Sequence, residues 1–296
     1  MKPTKVLIFG GNGMLGHKLF FHLSSYENLK VFATVRNLGS IEKYLPSNLI
    51  NNLHVNIDAV NYDKIIETIN LIKPQVVINC IGIVKQSTLG QDSLANITIN
   101  ALLPHQIAKA CHHAGVRMIH VSTDCVFSGE KGNYTEDDIP DAVDAYGRSK
   151  LLGEVNYSHC LTLRTSIIGH ELESKLGLLE WFLAQKDKVQ GYTRHIYTGF
   201  PTIELADIIA DYIIPAPYLK GVFHLSSHPI SKYELLKLIA LKYQKTIEIE
   251  PYADTHCDRS LDSKRLCSLI AYSPPTWPDM IDKMYQDYLA TPYLKE

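Results

Sequence analysis

Long apolar runs are missing: nothing in the 296 residues approaches the roughly eighteen consecutive apolar positions of a membrane span. The opening MKPTKVLIFGGNGMLG breaks into glycines too early for a secretory leader, so a cytoplasmic location is expected. Blocks of lysine or arginine are missing too. With 29 Lys+Arg against 31 Asp+Glu, the chain offers neither a nucleic-acid groove nor a patch for anionic lipid. The six cysteines (Cys80, Cys111, Cys125, Cys160, Cys257, Cys267) contain no CxxC or CxxH pair, so free thiols are expected rather than disulfides or a zinc site. His112 and His113 do not make a metal site, because adjacent helical positions face different ways and no third ligand follows. Repeats and low-complexity tracts are also lacking. With 46% hydrophobic residues, the chain can bury a full core in one large domain or two modest ones.

Strand-length apolar runs (KVLIFG, KVFATV, LHVNID, QVVINCIG, VRMIHVST, CLTLRTSII) alternate with helical patterns through the first half. YDKIIETINLIK places Tyr62, Ile65, Ile66, Ile69 and Ile72 on one helical face. LANITINALLPHQIAKACHHAG reads as a longer helix kinked by Pro104. Near-continuous Val/Ile runs are what strands covered on both faces require. The pattern therefore predicts an α/β fold: a doubly wound parallel sheet of the Rossmann type, with a smaller C-terminal α/β lobe. After about residue 165 the rhythm changes, with a capped helix at Ser231 and Glu234, the strand TIEIEPY and a closing helix near PDMIDKMYQDYL. Residues 1–165 are expected to bind a dinucleotide and 166–296 mainly a substrate, with a segment near 199–212 returning to the first domain.

KVLIFGGNGMLGHKLF reads as strand, glycine turn and helix. Gly10, Gly13 and Gly16 follow GxxGxxG, which lets a pyrophosphate reach backbone N–H groups at the positive end of the helix. Gly10, Asn12, Gly13, Met14 and Leu15 are the expected contacts there. The second strand ends in Thr34, Val35, Arg36 and Asn37, with no carboxylate for ribose hydroxyls. Arg36 can pair with a 2′-phosphate, which favours NADP(H), with NAD(H) as the second candidate; its other reading is a solvated surface charge. Asp58 can accept from an adenine amino group or cap the helix that begins near Tyr62.

The run Val116–Val121 ends in STDC, two hydroxyls, a carboxylate and a thiol where a buried strand would gain by staying apolar. Downstream, DAYGRSKLLGE carries Tyr146 and Lys150 at helical spacing, so both side chains share a face. A phenol with a reference pKa of about 10 is a poor proton donor and acceptor at neutral pH. A nearby ammonium lowers that value and makes the pair a usable proton relay for a carbonyl.

GGNGMLG, STDCVF, YGRSK and LRTS, in this order and spacing, resemble the extended short-chain dehydrogenase/reductases, most closely the dTDP-4-dehydrorhamnose reductase branch. GFPT at 199–202 and DRSLDSKRL near the end look like that branch's later motifs, so the likeness spans nearly the whole chain. The resemblance implies reduction of the C4 ketone of a nucleotide-linked sugar. It gives Tyr146 as the proton donor, Lys150 as the residue holding the nicotinamide ribose and tuning Tyr146, and Thr123 as the hydroxyl orienting the carbonyl. Cys80, Ile81 and Gly82 would lie against the cofactor, and Asp124, Cys125 and Arg259 against the substrate. Ser122 falls one residue early and is left to satisfy backbone groups.

The chain departs from the branch in two places. HIYTG lacks the Asp-Gln pair often found before the GxPT motif, and Cys125 stands where tyrosine is usual. A UDP-linked N-acetylated 6-deoxy-4-keto-hexose is therefore an alternative to dTDP-4-dehydrorhamnose. Asp124 is followed by cysteine rather than a second acid or a lysine, so dehydration is not expected. GDP-fucose synthase is similar in carrying a cysteine at the matching place and uses it in epimerisation. The other reading of Cys125 is a small apolar wall. Some members of the branch resemble the regulatory subunit of methionine adenosyltransferase, which leaves a non-catalytic nucleotide-binding role as a further alternative. Trp181 and Phe182 can stack on a base or fill the core. Arg259 can bind a diphosphate or form a surface salt bridge. A second copy of the chain, as a homodimer, is the other candidate partner.

Overall fold

The structure, a computed structural model, describes residues 2–39, 41–85, 87–173 and 175–291. Seven parallel strands form its centre: β1 (Thr4–Phe9), β2 (Leu29–Thr34), β3 (Leu53–His54), β4 (Val76–Asn79), β5 (Arg117–Thr123), β6 (Cys160–Thr165) and β7 (Gly221–His224), in the spatial order 3-2-1-4-5-6-7. Alternate β1 residues serve opposite faces, as strand geometry demands. Val6 and Ile8 join one core with Leu19, Phe20, Leu205 and Ile209, while Leu7 and Phe9 join the other with Ile65, Ile69, Ile107 and Ala108. Both faces are covered, which is why Val6, Leu7, Ile8 and Phe9 are apolar in succession.

Helix α1 (Met14–Leu23) follows β1, and α2 (Tyr62–Ile72) crosses over to β4. The LANITINALL stretch does not simply kink. It runs as a π-helical segment, Asn96–Leu102, into α3 (Leu103–Ala114), with Pro104 in the first turn of α3. Pro104 has no N–H to offer the Asn100 carbonyl. That carbonyl instead faces Gly153 so closely that a Cβ there would come within 2.0 Å, at 1.9 Å.

Helix α4 (Ala145–Leu152) carries Tyr146 and Lys150. Beyond residue 165 the chain makes small paired strands, among them His195–Tyr197 with Ile230–Ser231 and Cys257–Asp258, and Lys188–Tyr192 with Glu248–Tyr252. Helix α5 (Thr202–Ile208) packs on α1, and the closing helix α6 (Trp277–Ala290) packs on α5. The Lys18–Asp287 ion pair and the His22–Asp207 hydrogen bond, both 2.5 Å, tie α1 to this later part of the chain. β7 was not expected in the central sheet. It pairs with β6, Gly221 opposite Leu161 and His224 opposite Arg164. No helix among the described residues is long and apolar enough to cross a membrane.

Candidate active site

The strand order reverses between β1 and β4, and a groove opens beyond their carboxyl ends. Gly10, Asn12, Gly13, Arg36, Asp58, Cys80, Ile81 and Gly82 line it, joined by Thr34, Val35, Ile57, Ala59, Val60, Ile99 and Leu103, which the motifs did not indicate. Gly10 has φ +91°, and a Cβ on it would sit 3.0 Å from Ile81 Cγ1, so both backbone and space call for glycine. Gly16 serves packing: a Cβ there would come within 2.0 Å of the Gly10 carbonyl oxygen. Gly13 is the N-cap of α1, and no side chain caps that helix. Uncapped N–H groups opening onto the groove suit an anion.

The first helical side chains, Met14 and Leu15, do not line the groove. Leu15 is buried in the core and Met14 lies against Gly177, leaving only their backbone N–H groups for a ligand. Asp58 is in the groove and does not cap α2. The cap is Asn61, whose side chain accepts from the N–H groups of Asp63 and Lys64, while Asp58 Oδ1 accepts from the Val60 N–H at 3.1 Å. Arg36 is exposed at the rim, and burial pushes the Cys80 thiol up to about 12.

β5 delivers the polar corner. Thr123 caps the turn Asp124–Val126: its Oγ1 accepts from the Cys125 N–H at 3.1 Å and lies 3.2 Å from Asp124 Oδ1. The Tyr146 phenol faces the Thr123 hydroxyl. Burial raises the Tyr146 pKa above the usual phenol value, Cys125 adds to this, and Thr123 opposes it. The lowering expected from Lys150 does not outweigh this burial. The Lys150 ammonium instead donates to the Val121 carbonyl at 2.9 Å, and burial brings its own pKa down to about 8, against the pull of Glu154 and Cys80. Its Nζ stands 3.8 Å from where a Cβ on Gly82 would be, which places the charge at the end of the groove.

Asn100 escaped the sequence reading. Its Oδ1 accepts from the Ile83 N–H at 2.8 Å, and its Nδ2 donates to Ile83 O (3.2 Å), Asn96 Oδ1 (3.0 Å) and Ser149 Oγ (3.3 Å), fastening the loop after β4 to α4. The signal was Pro104, since π-helical turns cluster at functional sites. Ser122 does not serve the backbone. It donates to Glu154 Oε1 at 2.8 Å, and Glu154 is held by Arg164 through two further 2.8 Å bonds.

The substrate-side residues come together around the same turn. Asp124 is 6% exposed, and burial raises its carboxyl pKa against the pull of Arg259. Arg259 is half-buried: its Nε donates to the Phe127 carbonyl at 2.8 Å and its Nη1 to Cys125 Sγ at 3.6 Å. Its place is thus beside the polar corner, not in a surface salt bridge. Burial, with Asp124 next, pushes the Cys125 thiol up to about 12. Tyr197, from HIYTG, is buried with its phenol pKa raised well above normal by burial and then by Asp124. Phe182 fills the core, whereas Trp181 is exposed.

A doubly wound sheet with a glycine-turned groove at its switch point, and a Tyr–Lys helix beside that groove, define a Rossmann-type fold of the extended short-chain dehydrogenase/reductase kind. Residues 4–289 match the family described as the RmlD substrate binding domain, and the chain belongs to that family. In structure it is similar to a dTDP-4-dehydrorhamnose reductase from Clostridium acetobutylicum (TM-score 0.79, 22% identity, 97% of this chain and 100% of that one). It is also similar to one from Bacillus anthracis solved in complex with NADP (TM-score 0.78, 19% identity, 97% and 99%). In sequence it is similar to methionine adenosyltransferase 2 subunit beta of Rattus norvegicus, 26% identical over 316 residues that cover 95% of this chain and 90% of that one.

Proposed function

We propose that the protein is an NADPH-dependent reductase of the C4 ketone of a nucleotide-activated 4-keto-6-deoxy-hexose, dTDP-4-dehydrorhamnose or a UDP-linked N-acetylated analogue, serving cytoplasmic synthesis of surface-polysaccharide precursors. The observation that carries this reading is that Thr123 and Tyr146 bring their hydroxyls together on the same side as Lys150, whose ammonium stands beside Gly82 at the end of the groove. The positive-φ Gly10 turn and the uncapped start of α1 fit a dinucleotide pyrophosphate, and Arg36 at the rim fits a 2′-phosphate. When bound, the cofactor supplies a hydride.

The residues of the chain do the rest. Lys150 offers an ammonium to ribose hydroxyls while its bond to Val121 fixes its direction. Tyr146 holds the proton that the reduced oxygen takes, and its raised pKa keeps the phenol protonated until that moment. Thr123 orients the ketone. Asp124, Cys125 and Arg259 border the sugar, and Arg259 is placed for its diphosphate or for a ring hydroxyl. Residues 1–165 hold the cofactor and 166–296 mainly the sugar nucleotide, with residues 199–212 returned to the first unit.

Epimerisation by Cys125 is disfavoured, because a thiol with a pKa of about 12 is scarcely ionised at neutral pH and leaves almost no thiolate to take a sugar C–H proton. The likeness to a methionine adenosyltransferase subunit favours a second reading, a nucleotide-binding regulatory partner. Incubation of the protein and NADPH with UDP-, dTDP- and GDP-linked 4-keto-6-deoxy sugars, with products identified by NMR, separates the two. A 4-hydroxy product supports the reductase. Tight NADPH binding without oxidation on any sugar supports the regulatory partner.

A further inference from the structure

The hydrogen-bond inventory of Thr123 does not close if Asp124 is ionised. A threonine hydroxyl has one proton and two lone pairs. One lone pair of Thr123 takes the Cys125 N–H at 3.1 Å. An Asp124 carboxylate, 3.2 Å away and able only to accept, would claim the single proton, leaving none for a ketone oxygen. If Asp124 carries a proton, the same contact reverses. Asp124 then donates to the second lone pair, and the Thr123 proton is left for the ketone.

We propose that Asp124 is a positioning residue that stays a neutral carboxylic acid and donates to Thr123 Oγ1, so that the Thr123 proton points at the substrate ketone. The proposal rests on the reductase reading above. The surroundings suit it. Asp124 is 6% exposed. The titratable and charged groups facing it are Arg259, Cys125, Tyr146 and Tyr197, of which Arg259 alone is cationic. Burial raises the Asp124 pKa; Arg259, Cys125, Thr123 and Ser166 oppose that rise without reversing it. For a carboxyl with a raised pKa, the neutral form persists below that value and is lost as pH climbs through it. Turnover should therefore decline on the alkaline side of Asp124.

The test compares Asp124→Asn with Asp124→Ala in kcat and KM across pH, with circular dichroism and NADPH binding as checks on folding. An asparagine amide can donate to Thr123 as the neutral acid does. Ala should lose about 10²-fold in kcat, the usual cost of one lost donor to a developing oxyanion, and Asn about tenfold or less. Asn should also lack the alkaline decline that Asp124 contributes. An Asn variant as impaired as Ala, or one that keeps the wild-type alkaline limb, would overturn the proposal. A second readout needs no turnover: difference infrared spectra of wild type and Asp124→Asn at neutral pH. The carbonyl stretch of a buried protonated carboxyl should be present in the wild type and missing in the variant; its absence from the wild type also overturns the proposal. If the wild type reduces no 4-keto sugar but shows that band, the reductase reading fails while the protonation of Asp124 stands.

Discussion

Two glycines of one motif should fail in different ways. Gly16→Ala places a Cβ 2.0 Å from the Gly10 carbonyl oxygen and 2.8 Å from its carbon, where real contacts essentially never fall below 3.0 Å. The start of α1 must move about 1 Å off β1, and because the obstacle is backbone, no side chain can swing aside. Overpacking of that kind costs about 3 kcal/mol, which for a chain of this size lowers Tm by roughly 6–12 °C. Gly13→Ala meets nothing nearer than 3.6 Å and has φ −72°, a conformation open to any residue. Its Tm should stay within about 2 °C of wild type, while the added methyl at the helix start weakens NADPH binding by about tenfold. Scanning calorimetry and fluorescence titration of NADPH read the two effects separately. A Gly16→Ala protein melting with the wild type would refute the packing argument. Unchanged NADPH affinity in Gly13→Ala would refute the placement of the pyrophosphate.

Arg36→Asp should narrow or invert a preference for NADPH over NADH in kcat/KM; a wild type that uses NADH more efficiently makes Arg36 a bystander. Glu154→Ala leaves the Arg164 guanidinium buried without its counter-charge, since both side chains are less than 10% exposed at 7% and 6%. It should destabilise by ~3–5 kcal/mol in urea unfolding, and a loss under about 1 kcal/mol would contradict that. In D2O, product sugars should carry no solvent deuterium at C3 or C5 beyond a control without enzyme. Deuterium at either carbon, abolished by Cys125→Ser, would make Cys125 a base despite its raised pKa.

Periodicity made the sheet legible, because apolar runs such as VVIN and VLIF have no other stable home than a doubly covered strand. The glycine turn and the Tyr146–Lys150 spacing were legible for the same reason: each is local, within one turn or one helix. What stayed hidden depends on partners far along the chain. β7 belongs to the sheet through β6, about sixty residues earlier, and nothing within GVFH announces that. Ser122 looked like a backbone-satisfying hydroxyl because Glu154 and Arg164 meet it only in three dimensions. Asn100 was masked by a helical pattern that Pro104 converts to a π-helical turn. The pKa of Tyr146 was misjudged in direction, since helical spacing reveals the neighbour but not the burial that outweighs it.

The central claim is hydride delivery to a sugar C4 with Tyr146 as the proton donor. The most direct measurement follows reduction of a 4-keto-6-deoxy nucleotide sugar by NADPH carrying deuterium on its transferable position, in wild type and in Tyr146→Phe. The account predicts deuterium at C4 of the wild-type product, and a Tyr146→Phe protein that binds NADPH nearly as well yet turns over about 10²- to 10⁴-fold more slowly. A product without deuterium at C4, or full activity in Tyr146→Phe, would contradict it.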